Sequence, residues 1–267
     1  MRLIIQNNYS ECSQWAANYV AYKIKAFRPT PKKPFVLGLA TGSSPLGMYE
    51  ELIRMYQAGR LSFANVVTFN MDEYIGLGPN DVQSYHNYMY QNFFNHIDIP
   101  KVNIHLLNGL TKDYLTECEN YEETIKRYGK IHLQIGGVGS DGHIAFNEPG
   151  SSLSSRTRVK TLTSETIEAN SRFFGGDAGK VPTTVLTMGI GTIMDAEEVL
   201  IIATGDKKAR ALHHAVEGSI NHMWPISILQ MHQHGIIVCD EPATNELKAD
   251  TVRYFKDIEN QLRPKIK

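Results

Sequence analysis

The chain has 267 residues, 42% of them hydrophobic, and its 27 Lys and Arg against 28 Asp and Glu leave a formal net charge of −1. A chain of this length buries most of the surface its unfolded form exposes, so it needs no disulfide or metal staple, and it lacks the basic excess of a nucleic-acid-binding protein. No run approaches the ~18 apolar residues of a membrane span, and MRLIIQNNYSECSQW lacks the basic-then-apolar order of a secretory signal.

The first predicted element is a helix capped by Ser10, with Ala16, Val20, Ile24 and Phe27 on one stripe. A strand FVLGL (35–39) and a helix over 46–56, ended at Gly59, come next. The strand VVTFN (66–70), a helix over 84–96, the strand NIHLL (103–107) and a helix over 111–128 follow. IHLQIGG (131–137) is the fourth strand. The polar segment 151–181 then breaks the rhythm, as functional lids and disordered loops do. TVLTMGI (184–190), EVLIIATG (198–205), a helix over 206–217, GIIVCD (235–240) and a helix over 241–259 complete the chain. Short apolar runs bounded by Gly, Asn or Asp read as strands buried on both faces. Their alternation with helices predicts one α/β domain spanning 1–267, a doubly wound, mostly parallel sheet of about seven strands with helices on both faces. Cys12, Cys118 and Cys239 are odd in number and far apart, which suits buried thiols in a reducing cytoplasm.

In such sheets ligands bind beyond the carboxyl ends of the strands, so the loops there are the places to look. ATGSSPLG (40–47) sets Ser44 as a helix cap and Pro45 as the first helical residue. With the hydroxyls of Thr41 and Ser43 it forms an anion pocket suited to a phosphate, although no Walker lysine follows. TFNMDEYIGLG (68–78) ends a strand in Asp72 and Glu73 among Met and Tyr residues that can raise a carboxyl pKa; either a base for a carbon acid or an acidic loop cap fits. In IGGVGSDGHIAFNEPGSS (135–152) Gly137, Gly139 and Gly142 spell a dinucleotide fingerprint, but Pro149 and Gly150 stop any helix within two turns, so the nucleotide reading fails. What remains is Asp141, His143 and Glu148, an orienter–base constellation, with a metal site or a plain loop histidine as the alternatives. In ATGDKKARALHH (203–214) Asp206 caps a helix and Lys207 and Lys208 fill its first turn, where a bound anion would offset their clash with the helix dipole. SRTRVKT (155–161) aligns Arg156, Arg158 and Lys160 on one face of an extended segment, as an anion site or a charged edge would.

Together these stretches resemble the glucosamine-6-phosphate deaminase (glucosamine-6-phosphate isomerase) family. The resemblance runs through LATGSSPLGMY, SFANVVTFNMDEYIGL, SYHNYM, GGVGSDGHIAFNEPGSSLSSRTRVKTLT, ANSRFF, KVPTTVLTMGIGT, AVEG with NHMW, and VCDEPAT, from about residue 1 to residue 256. It implies conversion of glucosamine 6-phosphate and water to fructose 6-phosphate and ammonia, a metal- and cofactor-independent hydrolysis of a C–N bond in the catabolism of amino sugars such as N-acetylglucosamine. It assigns Asp72 as the base at C2 and His143 as the ring-opening group, with Asp141 and Glu148 setting its protonation and orientation. The phosphate falls to Thr41, Gly42, Ser43, Ser44, Arg172 and Lys208. The resemblance also makes 151–181 a mobile lid.

Many bacterial members are allosteric homohexamers activated by N-acetylglucosamine 6-phosphate, and the matching effector positions are Ser151, Ser152, Arg158, Lys160, Thr161 and Tyr254. The chain departs from the family pattern at Ala40, where Pro is usual, and at Asp81-Val82-Gln83, where His-Pro-Glu is usual. A lactone hydrolase resembling 6-phosphogluconolactonase is one rival reading, but it has no use for a C2 base. A non-catalytic sugar-phosphate sensor is the other, and it would need only the phosphate grip. Neither nucleic acid nor membrane is an expected partner.

Overall fold

The computed structural model describes residues 1–262. In chain order its regular elements are β1 (Arg2–Gln6), α1 (Tyr9–Phe27), β2 (Phe35–Leu39), α2 (Ser43–Gln57), β3 (Val66–Asn70), β4 (Asp72–Tyr74), α3 (Tyr85–Asn92), β5 (Ile104–His105), α4 (Tyr114–Arg127), β6 (Leu133–Gly137), β7 (Arg158–Thr161), α5 (Ser164–Ser171), β8 (Thr184–Thr187), α6 (Ile190–Met194), β9 (Val199–Ala203), α7 (Ala209–Val216), β10 (Gly235–Asp240) and α8 (Ala249–Leu262). Seven strands form one sheet in the order β1-β10-β9-β6-β2-β3-β5, and every pairing in it is parallel. Two apolar layers fill its faces. One contains Leu37, Leu52, Phe93 and Ile135, and the other Val67, Phe69, Ile201 and Leu212. β2, β3, β9 and β10 are buried along their whole length, as their near-continuous apolar runs require.

The α/β class and the parallel sheet agree with the sequence reading, but its strand set needs one correction. The run at 184–190 does not join the main sheet. Its first half is β8, the middle strand of a separate antiparallel sheet β4-β8-β7. The seventh strand of the main sheet is instead β1, at its edge beside β10. The segment 151–181 is largely regular, contributing β7 and α5. It packs Leu162, Ile167, Phe174 and Val181 with Tyr74, Phe146 and Val185 in a third small apolar cluster.

Three helix caps also differ from expectation. Asn8, not Ser10, caps α1, its side chain accepting from the N–H of Glu11 at 3.0 Å. α2 begins two residues earlier than Ser44 predicts, with Gly42 as its cap and no side-chain cap bond. Asp206 opens a short 3-10 turn through Lys208, and α7 starts only at Ala209, so the lysines precede that helix. Asp206 instead accepts from the Asn245 side chain at 2.7 Å. The three cysteines are free and buried. Among the described residues no helix is long and apolar enough to cross a membrane.

Candidate active site

The sheet order decides which loops meet. β9, β6, β2 and β3 are neighbours, and after β2 the chain runs outward through β3 to β5 before crossing back to β6 on the other side. The strand order therefore reverses between β2 and β6, where a parallel sheet opens its ligand crevice. The four loops leaving these carboxyl ends carry residues 40–44, 71–74, 138–148 and 204–208. These are the loops that the sequence nominates. Ser44 stands within 3.5 Å of where a Cβ on Gly137 would lie, so the first loop touches the third.

Asp72 opens β4 directly after β3 and is 7% exposed. Burial, then the neighbouring Glu73 charge, pushes its carboxyl up to about 8. Burial is the main cause that raises the hydroxyl pKa values of Tyr49, Tyr74, Tyr85 and Tyr121, and the Asp72 charge adds to it, so tyrosines from α2, β4, α3 and α4 lie within its electrostatic reach. Glu73, 2% exposed, faces a different task. Its oxygens accept from the backbone N–H groups of Tyr74 (2.8 Å), Tyr85 (3.0 Å) and His86 (2.8 Å), fixing the start of α3 against β4. The two readings of this acidic pair thus divide between its members. Asp72 has the perturbed, water-poor environment of a base, and Glu73 is the loop cap.

The loop after β6 closes on itself. The Gly139 N–H donates to the His143 carbonyl at 2.9 Å, and the Gly142 N–H to the Gly139 carbonyl at 3.0 Å. This brings His143 Nδ1 within 2.7 Å of Asp141 Oδ1, somewhat off the line of an ideal N–H donor. Burial works to raise the Asp141 pKa. The contact with His143 and the backbone N–H groups outweigh it and hold the carboxyl below its ordinary range. The loop needs glycine at 139 because a Cβ there would lie 2.2 Å from His143 Nδ1 and 2.5 Å from Asp141 Oδ1. Asn147 donates to the carbonyls of Ile144 (2.9 Å) and Met188 (2.8 Å). The Met188 N–H donates to Met71 O at 2.7 Å, which ties this loop to the strand of Asp72.

Glu148 is buried, at 3% exposed, and among the described residues forms no ion pair with the imidazole. Its Oε1 accepts from the Thr163 N–H (3.1 Å) and hydroxyl (3.0 Å) and from the Thr166 hydroxyl. Thr163 caps α5, so Glu148 fastens the 151–181 segment to the loop, and among the described residues Asp141 is the carboxylate that meets His143.

Lys208 lies within electrostatic reach of Arg172, Lys207 and Asp141. Burial pushes the Lys208 ammonium down; Arg172 and Lys207 act in the same direction and Asp141 opposes them. The Arg172 guanidinium rests 4.6 Å from the Phe173 ring centroid. The first-turn N–H groups of α2 have no side-chain cap, and such amides with the positive end of the helix dipole favour an anion. The Tyr88 hydroxyl steadies this loop by donating to the Gly42 carbonyl at 2.6 Å.

The basic face of β7 divides in two. Arg156 is consumed by ion pairs to Glu122 (2.7 Å) and Asp195 (2.6 Å), so it is a structural residue and leaves the expected anion face. Arg158 donates to the Arg156 carbonyl at 3.2 Å, and neither Arg158 nor Lys160 has an ion pair among the described residues. The Ser151 hydroxyl is buried and has no partner among the described residues, Ser152 meets the Ser154 hydroxyl, and Thr161 pairs with Thr184 across the sheet. Tyr254 is 60% exposed on α8, a helix that packs on β1 rather than against the β7 sheet.

Among the described residues no three His, Cys, Asp or Glu side chains cluster as metal ligands would. A groove of about 810 Å³ lined by Trp15, Tyr22, Lys25, Arg60 and Lys256 carries none of the nominated residues. Sequence reasoning missed Tyr74, Tyr85 and Asn170, whose side chain donates to the Tyr74 hydroxyl at 3.0 Å. The density of Tyr in DEYIGL and SYHNYM was the available signal.

Comparison with known proteins gives consistent results. A family model described as glucosamine-6-phosphate isomerases/6-phosphogluconolactonase matches residues 7–238. The glucosamine-6-phosphate deaminase of Phocaeicola vulgatus is 66% identical over 259 residues, covering 97% of this chain and 98% of the relative. That of Treponema denticola is 63% identical, covering 97% and 96%. A solved monomeric glucosamine-6-phosphate deaminase superposes with a TM-score of 0.88 at 41% identity, covering 92% of this chain and 100% of the other. The 6-phosphogluconolactonase from Leishmania guyanensis, at 20% identity and a TM-score of 0.70 over 93% and 99% of the two chains, shares the fold.

Proposed function

Because this chain belongs to the glucosamine-6-phosphate deaminase family, we propose that it isomerises glucosamine 6-phosphate and releases its amine, giving fructose 6-phosphate and ammonia with uptake of one water. The observation that carries this reading is Asp72, a buried carboxyl pushed up to about 8 at the carboxyl end of the sheet. A lactone hydrolase needs no carbon base, and a phosphate sensor needs no acid–base pair.

The reaction is worked by groups already described. The 41–44 loop, Lys208 and Arg172 hold the phosphate, and that grip orients the sugar over the crevice. His143, held by Asp141 through Nδ1, uses its other nitrogen to move the proton from the C1 hydroxyl to the ring oxygen as the pyranose opens. The open form carries a carbonyl at C1, which serves as the electron sink when ionised Asp72 takes the proton from C2, the carbonyl oxygen gaining the proton that the C2 ammonium gives up. The resulting enolamine accepts that proton back at C1, leaving an imine at C2 that water hydrolyses. No step requires a metal or an organic cofactor. Glu148 acts by holding the start of α5, so the 151–181 segment closes the site as a lid and keeps Asp72 away from water. Three buried free thiols favour the reducing cytoplasm as the place of action.

Release of one ammonia per fructose 6-phosphate from glucosamine 6-phosphate, undiminished by a chelator, is the expected result. Folded protein that releases none across pH 6–9 (roughly the range in which Asp72 ionises) would contradict it.

Regulation by N-acetylglucosamine 6-phosphate belongs to the same proposal. Arg158 and Lys160, which have no ion pair among the described residues, and the Ser151 hydroxyl, unpartnered among them, support a phosphate there. Tyr254, on α8, joins such a site only from a second copy in an oligomer such as the family's hexamer. A saturation curve with substrate is expected to shift to lower concentration when the effector is present. Superimposable curves contradict the effector site.

A further inference from the structure

The loop that carries Asp141 and His143 is braced from outside by residues 221–226, which no part of the proposed reaction uses. The Ile226 N–H donates to the Gly142 carbonyl at 2.9 Å, between the two catalytic side chains, and the Gly150 N–H donates to the His222 carbonyl at 2.9 Å, just past Glu148. Both ends of the loop are therefore tied to one short segment. That segment is stiff, because Ser227 Oγ accepts from the Asn221 N–H at 2.9 Å and donates to its carbonyl at 3.1 Å.

Trp224 fills the space between this brace and α7. A Cβ on Gly142 would lie 2.7 Å from Trp224 Cε3 and 3.3 Å from Ile226 Cγ2, so the indole and the loop backbone are in direct contact. Gly142 has φ +83°, a conformation open to glycine and strained for other residues. The indole is gripped by α7, where His214 stacks on it with ring centroids 3.8 Å apart and Arg210 lies 5.9 Å from its ring centroid. α7 begins one residue after Lys208. A continuous set of contacts thus runs from the phosphate-side lysine through α7 and Trp224 to the peptide between Asp141 and His143.

We propose that Trp224 is a positioning residue, holding the Asp141–His143 loop in register with the phosphate grip through the contact with Gly142. This inference rests on the deaminase reading for its effect on turnover, but not for the contact itself. Asp72 stands on β4, outside the brace. Loss of the indole should therefore misplace the ring-opening group while leaving substrate binding nearly whole.

Trp224→Ala is expected to lower kcat by about tenfold or more, since displacements near 1 Å in a site can cost that much, with KM held within about threefold. Trp224→Phe, which keeps a ring to stack on His214, is expected to recover most of the loss, and His214→Ala to fall between. Amide hydrogen exchange over 139–144 and at Ile226 is expected to quicken in Trp224→Ala and His214→Ala, and not in Trp224→Phe. Unchanged kcat in Trp224→Ala, or exchange in the loop equal to wild type, overturns the proposal. Where Trp224→Ala does not fold, His214→Ala decides by the same two readouts. An inactive wild-type protein would refute the deaminase reading, and the exchange measurement would still decide whether Trp224 holds the loop.

Discussion

Asp72→Asn is expected to lower kcat by about 10²–10⁴-fold, the range a positioned acid–base group supplies, with KM little changed. An amide keeps the size and polarity of the side chain but cannot take the C2 proton, so exchange of that proton with solvent should stop while the phosphate grip still binds. The pH behaviour follows from the same residue. With its carboxyl pushed up to about 8 from an ordinary 3.8, free enzyme gains its ionised base only as the pH approaches 8, and kcat/KM should rise over that span. A cationic amine on the bound sugar favours the carboxylate, so the limb in kcat should lie at lower pH. Stability runs the opposite way. The folded pKa lies above the ordinary value, so the stabilising contribution of the neutral acid is whole below pH 3.8 and is lost as the pH climbs through about 8. Asp72→Asn removes that loss and should be more resistant to heat than wild type at pH 8 and above. Retained C2 exchange in this variant would assign the base elsewhere.

The second large effect is expected at the imidazole, and it can be reached without touching it. His143→Gln removes the proton carrier for ring opening and should lower kcat by about 10²-fold or more. Gly139→Ala is expected to do comparable harm, because its Cβ would fall 2.2 Å from Nδ1 and 2.5 Å from Asp141 Oδ1. One of the pair must leave its place, and the carboxylate then no longer fixes the tautomer. The distinguishing feature is that glucose 6-phosphate, unable to lose an amine, should bind all of these variants about as well as it binds wild type, measured by displacement or calorimetry. If Gly139→Ala turns over normally, the loop is softer than its hydrogen bonds imply.

The sequence carried the parallel sheet well, because strands buried on both faces are apolar throughout, and FVLGL, VVTFN and GIIVCD say so plainly. It misled where local pattern and tertiary role part. TVLTMGI is as apolar as a core strand, yet β8 pairs antiparallel with β4 and β7. β1 was missed because its MRLIIQ run is short and sits at the sheet edge, half covered. Ser10 and Ser44 are good caps by type, but Asn8 and Gly42 hold those positions, a difference of about half a turn that local residue preference does not resolve.

The site was readable to the extent that it depends on strand ends. Asp72, Asp141, His143 and Lys208 all follow main-sheet strands, whose ends are visible in the sequence. What was not readable is which partner each charge meets. Arg156 looked like the equal of Arg158, but Glu122 on α4 and Asp195 after α6 take it. Glu148 looked like a companion of His143, but Thr163 and Thr166 turn it toward α5. The tyrosines around Asp72 come from four elements dispersed over more than seventy residues, and only the fold brings them together.

The most direct test supplies the purified protein with glucosamine 6-phosphate and, in parallel, with 6-phosphogluconolactone. Equimolar ammonia and fructose 6-phosphate from the first, with no hydrolysis of the second above the spontaneous rate, is the predicted result. Lactone hydrolysis without ammonia release, by the same folded protein, would contradict the assignment of Asp72 as a base at carbon.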